Sequence, residues 1–233
     1  MATKVFPVVH IISPEQAVEQ VGVAFEHGAD GAYLIDHRTS DWNVTCRAFN
    51  LAKACYPEFF LGVNILFEPT AFDVMTALLN AIKQERIDGL PDGVWVDDAM
   101  PKHDATRLLR VNNKALSGIR YLGGVAFKYT SLFTENPEIA AVRARELSEY
   151  VDVVTTSGSG TGTPPTPQKI EAMKKAIGDQ CLAVASGVGV DNLHDYVDYI
   201  DELLVATSIE THKGSGVFDV PKLKELLLIA HKL

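Results

Sequence analysis

The residues of this chain that could do chemistry sit at the ends of apolar runs. Three runs in the last third finish in small or hydroxylated residues. Residues 151–154 lead into Thr155-Thr156-Ser157-Gly158-Ser159-Gly160-Thr161-Gly162, residues 182–185 into Ser186-Gly187-Val188-Gly189, and residues 203–206 into Thr207-Ser208. Short side chains let backbone N–H groups approach a ligand closely, and a following helix start adds a partial positive charge. That combination suits a phosphate. Lys128 closes a run of Gly, Val, Ala and Phe. There it could act as a point charge for a phosphate or carboxylate, or as an amine of lowered pKa that forms a Schiff base with a carbonyl. An ion pair with Asp98 or Asp36 is the structural alternative.

Earlier runs end in His10, in Asp36 and His37, in Asn64, and in Asp97 and Asp98. Asp36 or Asp98 would serve as acid and base, and His10 or Lys128 would stabilise a developing oxyanion. The structural alternatives are a core histidine at His10, a loop tie at Asn64 and helix caps at the aspartates. Asp36, Asp97 and Asp98, with His37 beside them, could hold Mg2+ through oxygen ligands, but no spacing motif demands a metal. No other cofactor is evident. The first run is not followed by G-x-G-x-x-G, and residues 157–162 lack the lysine of a Walker loop.

These residues need a scaffold that brings run ends together. Eight short apolar runs, at 5–12, 31–35, 59–66, 93–96, 121–127, 151–155, 181–185 and 202–206, alternate with eight amphipathic segments. The runs are continuous, as in parallel strands buried on both faces. Ser13-Pro14, Asn136-Pro137 and Thr166-Pro167 pair a cap residue with proline at the first helical position, and Gln16 completes a capping-box pattern. Asp191 and Asp219 would cap the last two helices, and Gly28 and Gly178 would stop theirs. The spacing predicts one (β/α)8 barrel over residues 1–233, with a doubly wound open sheet as the alternative. In such a barrel the active site lies where strands end, and phosphate sites form after strands 7 and 8. Period-2 alternation then predicts Asn64, Gly124, Ala126 and Lys128 facing the axis, with Val125 and Phe127 facing the helices.

The chain of 233 residues is 47% hydrophobic, enough for a large core, and carries a formal net charge of −9. That charge argues against a nucleic-acid partner, which favours a basic stripe. Three cysteines without C-x-x-C spacing fit a reducing cytosol. No signal peptide is evident, and no apolar run approaches the roughly 18 residues of a membrane span. The expected setting is therefore cytoplasmic and off the membrane, with pairing through outer helices as a route to a homo-oligomer.

Val125-Ala126-Phe127-Lys128-Tyr129, followed by residues 151–162, resembles the BtpA family, in which a strand ending in V-K-H precedes a D-x-x-x-x-T/S-G-x-x-T-G run. The resemblance continues through Ser186-Gly187-Val188, Asp191-Asn192 and Val205-Ala206-Thr207-Ser208, and more loosely through Val9-His10 and Gly62-Val63-Asn64. It implies a TIM barrel of the phosphate-binding type and little about activity. The chain departs from the family pattern at Asp36-His37, where Glu-Asn is expected, at Asp97-Asp98, where an Arg-x-Asn run is expected, and at Tyr129, where His is expected.

Three functions are compatible with these residues. One is an enzyme acting on a small phosphorylated metabolite of the sugar-phosphate or phosphoribosyl type, by isomerase, lyase or transferase chemistry. Another is a Schiff-base aldolase using Lys128. The third is a non-catalytic assembly or regulatory protein of the BtpA type.

Overall fold

The computed structural model describes residues 2–39 and 41–232. Eight parallel strands follow one another around a closed barrel: β1 (Lys4–His10), β2 (Ala32–Ile35), β3 (Leu61–Asn64), β4 (Gly93–Val96), β5 (Arg120–Gly124), β6 (Val153–Thr156), β7 (Cys181–Ala185) and β8 (Glu202–Val205). The β1–β8 seam pairs Lys4 with Glu202 and Pro7 with Val205. Apolar residues fill both strand faces. Phe6, Val8, Tyr33, Ile35, Trp95, Leu122 and Leu204 pack inside the barrel, and Val5, Val9, Leu34, Val63, Val94 and Leu203 pack outward against the helices. This two-sided burial is why the runs carry no polar alternation.

The helices are α1 (Pro14–Glu26), α2 (Trp42–Cys55), α3 (Ala71–Lys83), α4 (His103–Val111), α5 (Lys114–Ser117), α6 (Pro137–Ser148), α7 (Pro167–Ile177) and α8 (Val220–Lys232). Ser13, Asn136 and Thr166 each accept a hydrogen bond from a first-turn backbone N–H, with proline at the first helical position. Asp219 accepts from Lys222 N at the start of α8. The helices are not distributed one per crossover. Both α4 and α5 lie between β4 and β5, whereas only the 3-10 turn Leu193–Asp195 lies between β7 and β8. Asp191 therefore caps no α-helix. Asn192 instead accepts from Gly189 N and donates to Gly187 O, folding the chain tightly just beyond β7.

Strand β5 is shorter than the apolar run that contains it. It ends at Gly124, where a Cβ would stand 1.9 Å from Asp97 O. Ala126 then takes a left-handed φ of 49°. That turn breaks the alternation expected from the run: Phe127 packs inside the barrel, while Val125 and Ala126 join the outer core. Lys128 reaches the barrel mouth on a turn rather than on a strand.

At the opposite end, the first residues of β5 and β8, Arg120 and Glu202, form an ion pair, and Arg120 also lies 3.5 Å from Cys181 Sγ. This polar layer closes the floor away from the mouth.

Candidate active site at the barrel mouth

A cavity of about 370 Å3 opens at the C-terminal ends of the strands. Val8, Ile35, Trp95 and Leu204 form its apolar base. Polar groups reach it from two sides. His10, His37 and Asp97 come from the ends of β1, β2 and β4, while Lys128, Ser186, Thr207 and their loops come from the other.

Lys128 is held at both its backbone and its side chain. Its N–H donates to Ser157 Oγ at 2.8 Å, and its Nζ donates to Ser186 Oγ. That hydroxyl, rather than Asp36 or Asp98, is the partner of the ammonium. Burial lowers the Lys128 pKa, and Asp97 opposes the shift. Ser186 takes a φ of 95° to present its side chain. A non-glycine residue in that region costs of order 1–3 kcal/mol and is characteristic of functional turns.

Asp97 is the carboxylate that lines the cavity. Burial raises its pKa, while a 3.1 Å hydrogen bond from Asn64 Nδ2 and the charge of Lys128 oppose that rise. Asn64 itself is buried beneath Asp97 and does not line the main cavity. Asp98 faces a smaller adjoining cleft of about 210 Å3 and accepts from Met100 N at 3.1 Å. Asp36 is buried and turned onto its own loop, accepting from Arg38 N, Thr39 N and Thr39 Oγ1. Its oxygens are occupied in shaping the turn. The aspartates and His37 do not converge: among the described residues no group of three or more His, Cys, Asp or Glu could hold a metal ion.

His10 is paired with Glu210, a residue that sequence reading did not single out. The Nδ1 to Oε1 distance is 2.9 Å, and the Glu210 side chain has no exposed surface. The His37 ring meets His10 edge-on, with centroids 4.9 Å apart. One edge of His37 is open to solvent, yet burial, with His10 and Lys128 nearby, lowers its pKa to about 4. That lowering favours the neutral imidazole of His37 at pH 7.

The three Gly/Ser/Thr loops divide their work. Thr161, Gly162, Ser186, Gly187, Thr207 and Ser208 line the cavity, whereas Ser157, Gly158 and Gly160 do not. A Cβ on Gly158 would stand 2.3 Å from Thr163 O, and one on Gly187 would stand 2.1 Å from Pro164 N. Glycine at 158 lets the loop after β6 fold back on itself, and glycine at 187 lets the loop after β7 pack against it. Tyr129 arches over the first of them, its hydroxyl accepting from Thr161 N at 3.1 Å. Ser208 Oγ donates to Val188 O, joining the loops after β7 and β8.

Eight parallel strands closed into a barrel, with polar side chains gathered at their C-terminal ends, define a (β/α)8 protein with its candidate site at the mouth. Within that class, the chain belongs to the BtpA family, whose model matches residues 48–232. A curated relative, the photosystem I biogenesis protein BtpA of Synechocystis sp. (strain ATCC 27184 / PCC 6803 / Kazusa), is 25% identical over 153 residues, which is 65% of this chain and 53% of that protein. The chain thus spans about half the length of the curated relative it matches. Solved structures of similar fold include phosphoribosyl anthranilate isomerase from Thermus thermophilus (TM-score 0.64, 14% identity, 97% of each chain). Also similar are 3-hexulose-6-phosphate synthase (TM-score 0.67, 16% identity, 97% of this chain and 99% of that one) and (S)-3-O-geranylgeranylglyceryl phosphate synthase from Thermoplasma acidophilum (TM-score 0.65, 12% identity, 100% and 94%). At these identities the likeness is one of fold. Among the described residues no helix is long and apolar enough to cross a membrane.

Proposed function

We propose that this chain is an enzyme acting on a small phosphorylated metabolite of the sugar-phosphate or phosphoribosyl type. The observation that carries this reading is the position of Lys128. Its half-buried ammonium is bonded to a serine hydroxyl at the rim where the loops after β6, β7 and β8 meet one cavity. A cation hydrogen-bonded to a hydroxyl, with no salt bridge to a carboxylate among the described residues, supplies beside short-chain loops the local positive charge that an anion needs against a net charge of −9. Thr161, Gly162, Ser186, Gly187, Thr207 and Ser208 would hold the phosphate. Two fold relatives, one solved with its substrate sn-glycerol-1-phosphate and the other a 3-hexulose-6-phosphate synthase, agree with a phosphorylated ligand.

Across the cavity, His10 backed by Glu210 is suited to take a proton, and Asp97, raised by burial, is suited to give one. Neutral His37 and Lys128 would stabilise an oxyanion between them. Those roles fit isomerase, lyase or transferase chemistry. Three free cysteines fit a reducing cytoplasmic setting.

Thermal and chemical unfolding with inorganic phosphate, ribose 5-phosphate and nucleoside monophosphates tests the reading. A ligand at 100 times its Kd should stabilise the protein by about 2.7 kcal/mol, and Lys128→Ala should abolish the shift. No shift with any of these compounds rejects phosphate binding. The lowered pKa of Lys128 favours a second reading, a Schiff-base aldolase. Borohydride trapping of carbonyl substrates on Lys128 decides between them. The name of the curated relative favours an assembly role. That role predicts that Lys128→Ala and Asp97→Ala leave function intact while surface changes abolish it.

A further inference from the structure

Lysine is seldom fully buried unless it is paired, yet the Lys169 side chain, in the first turn of α7, has no exposed surface. Its Nζ donates to Ala126 O at 2.9 Å and to Ser157 O at 2.7 Å. Glu135 Oε1 lies 3.7 Å away as counter-charge, and the Phe133 ring lies 5.2 Å below. Burial lowers the Lys169 pKa to about 8, with Glu135 opposing the shift.

The two carbonyls belong to the two loops that frame Lys128. Ala126 is the residue at φ 49° that turns Phe127 inward and carries the chain to Lys128. Ser157 is the residue whose Oγ accepts the Lys128 N–H. One buried ammonium thus ties both supports of Lys128 together from behind the cavity, and makes no contact with the cavity itself. We infer that Lys169 is a positioning residue: it fixes the backbone at 126 and 157 and thereby sets the place and burial of the Lys128 amine.

Without Nζ, two buried carbonyls lose their donors. Such groups are costly to leave unpaired, so the loops open toward water and Lys128 becomes better solvated. Solvation favours the charged form of a lysine. Lys169→Met removes the ammonium with little change in side-chain length. Competitive acetylation of Lys128 against pH, read by mass spectrometry, should then show its midpoint shifted up toward that of an exposed lysine. Amide exchange in the segment 125–130 should accelerate. Met173→Ala, a buried truncation in the same helix, should lose stability and keep the wild-type Lys128 profile.

Ser157→Ala removes the Lys128 N–H acceptor without changing any charge. It should shift the Lys128 midpoint the same way, which separates repositioning from the loss of a neighbouring cation. It also carries the test if Lys169→Met does not fold. A wild-type Lys128 profile in folded Lys169→Met, or in Ser157→Ala, overturns the inference. No ligand is used, so the outcome is independent of the phosphate reading.

Discussion

His10 and Glu210 form a 2.9 Å contact that joins the end of β1 to the segment after β8, across the seam of the barrel. Glu210 is anchored in turn by Gly214 N at 2.8 Å and Gly216 N at 3.3 Å. Burial pushes its carboxyl up, but the bonds from His10 and the backbone outweigh it and hold the pKa below the usual glutamate value. With Nδ1 occupied by the carboxylate, the second ring nitrogen is the one left for a ligand.

Glu210→Gln keeps the shape and removes the charge. Hydrogen bonds to a charged group are worth about 1.5–3 kcal/mol, so the variant should be less stable than wild type by about 2 kcal/mol at pH 7. A lowered folded-state pKa gives stability that is present above the unfolded value and lost as pH falls through the folded one. Urea unfolding should therefore show the gap between wild type and variant closing at acid pH. A gap that stays constant from pH 7 to below the glutamate range would sink this account.

Ser186 combines a strained backbone with the hydroxyl that holds Lys128, so the two effects can be separated. Ser186→Ala loses the hydroxyl and keeps φ near 95°, whereas Ser186→Gly loses the hydroxyl and the strain. The glycine variant should be more stable than the alanine variant by about 1 kcal/mol. Both should bind phosphate less tightly than wild type, the glycine variant despite its greater stability. Equal stability of the two variants in urea would show that the turn stores no strain.

The barrel was legible in the sequence because its strands are buried on both faces, so eight apolar runs stand out between capped helices. Thr166-Pro167 and Asn136-Pro137 mark helix starts by purely local chemistry, and the structure places α7 and α6 there. The site was less legible, because neighbours along the chain part company at a strand end. Asp97 faces the cavity while Asp98 accepts from Met100 N, and Asp36 is used by its own turn. Phe127 turns inward because Ala126 is left-handed, a conformation that alanine does not advertise. Glu210 gives no local signal at all. Its partner lies 200 positions away, and only barrel closure brings them together.

Asn64 acts through Asp97. Burial is the main influence on the Asp97 carboxyl and raises its pKa, and the Asn64 Nδ2 bond is the largest influence opposing it. Asn64→Leu removes that bond, so the Asp97 pKa should rise further, as followed by carboxyl-carbon NMR titration. The sign for stability follows from proton counting. A carboxyl whose folded pKa is raised binds more protons folded than unfolded between the two values, so stability falls as pH rises through that window. In Asn64→Leu the fall should extend to higher pH than in wild type. If Asp97 is the proton donor, the alkaline limb of the activity profile should move up with it. A titration of Asp97 unchanged by Asn64→Leu would mean that the 3.1 Å bond contributes nothing to its protonation, and would remove Asn64 from the site.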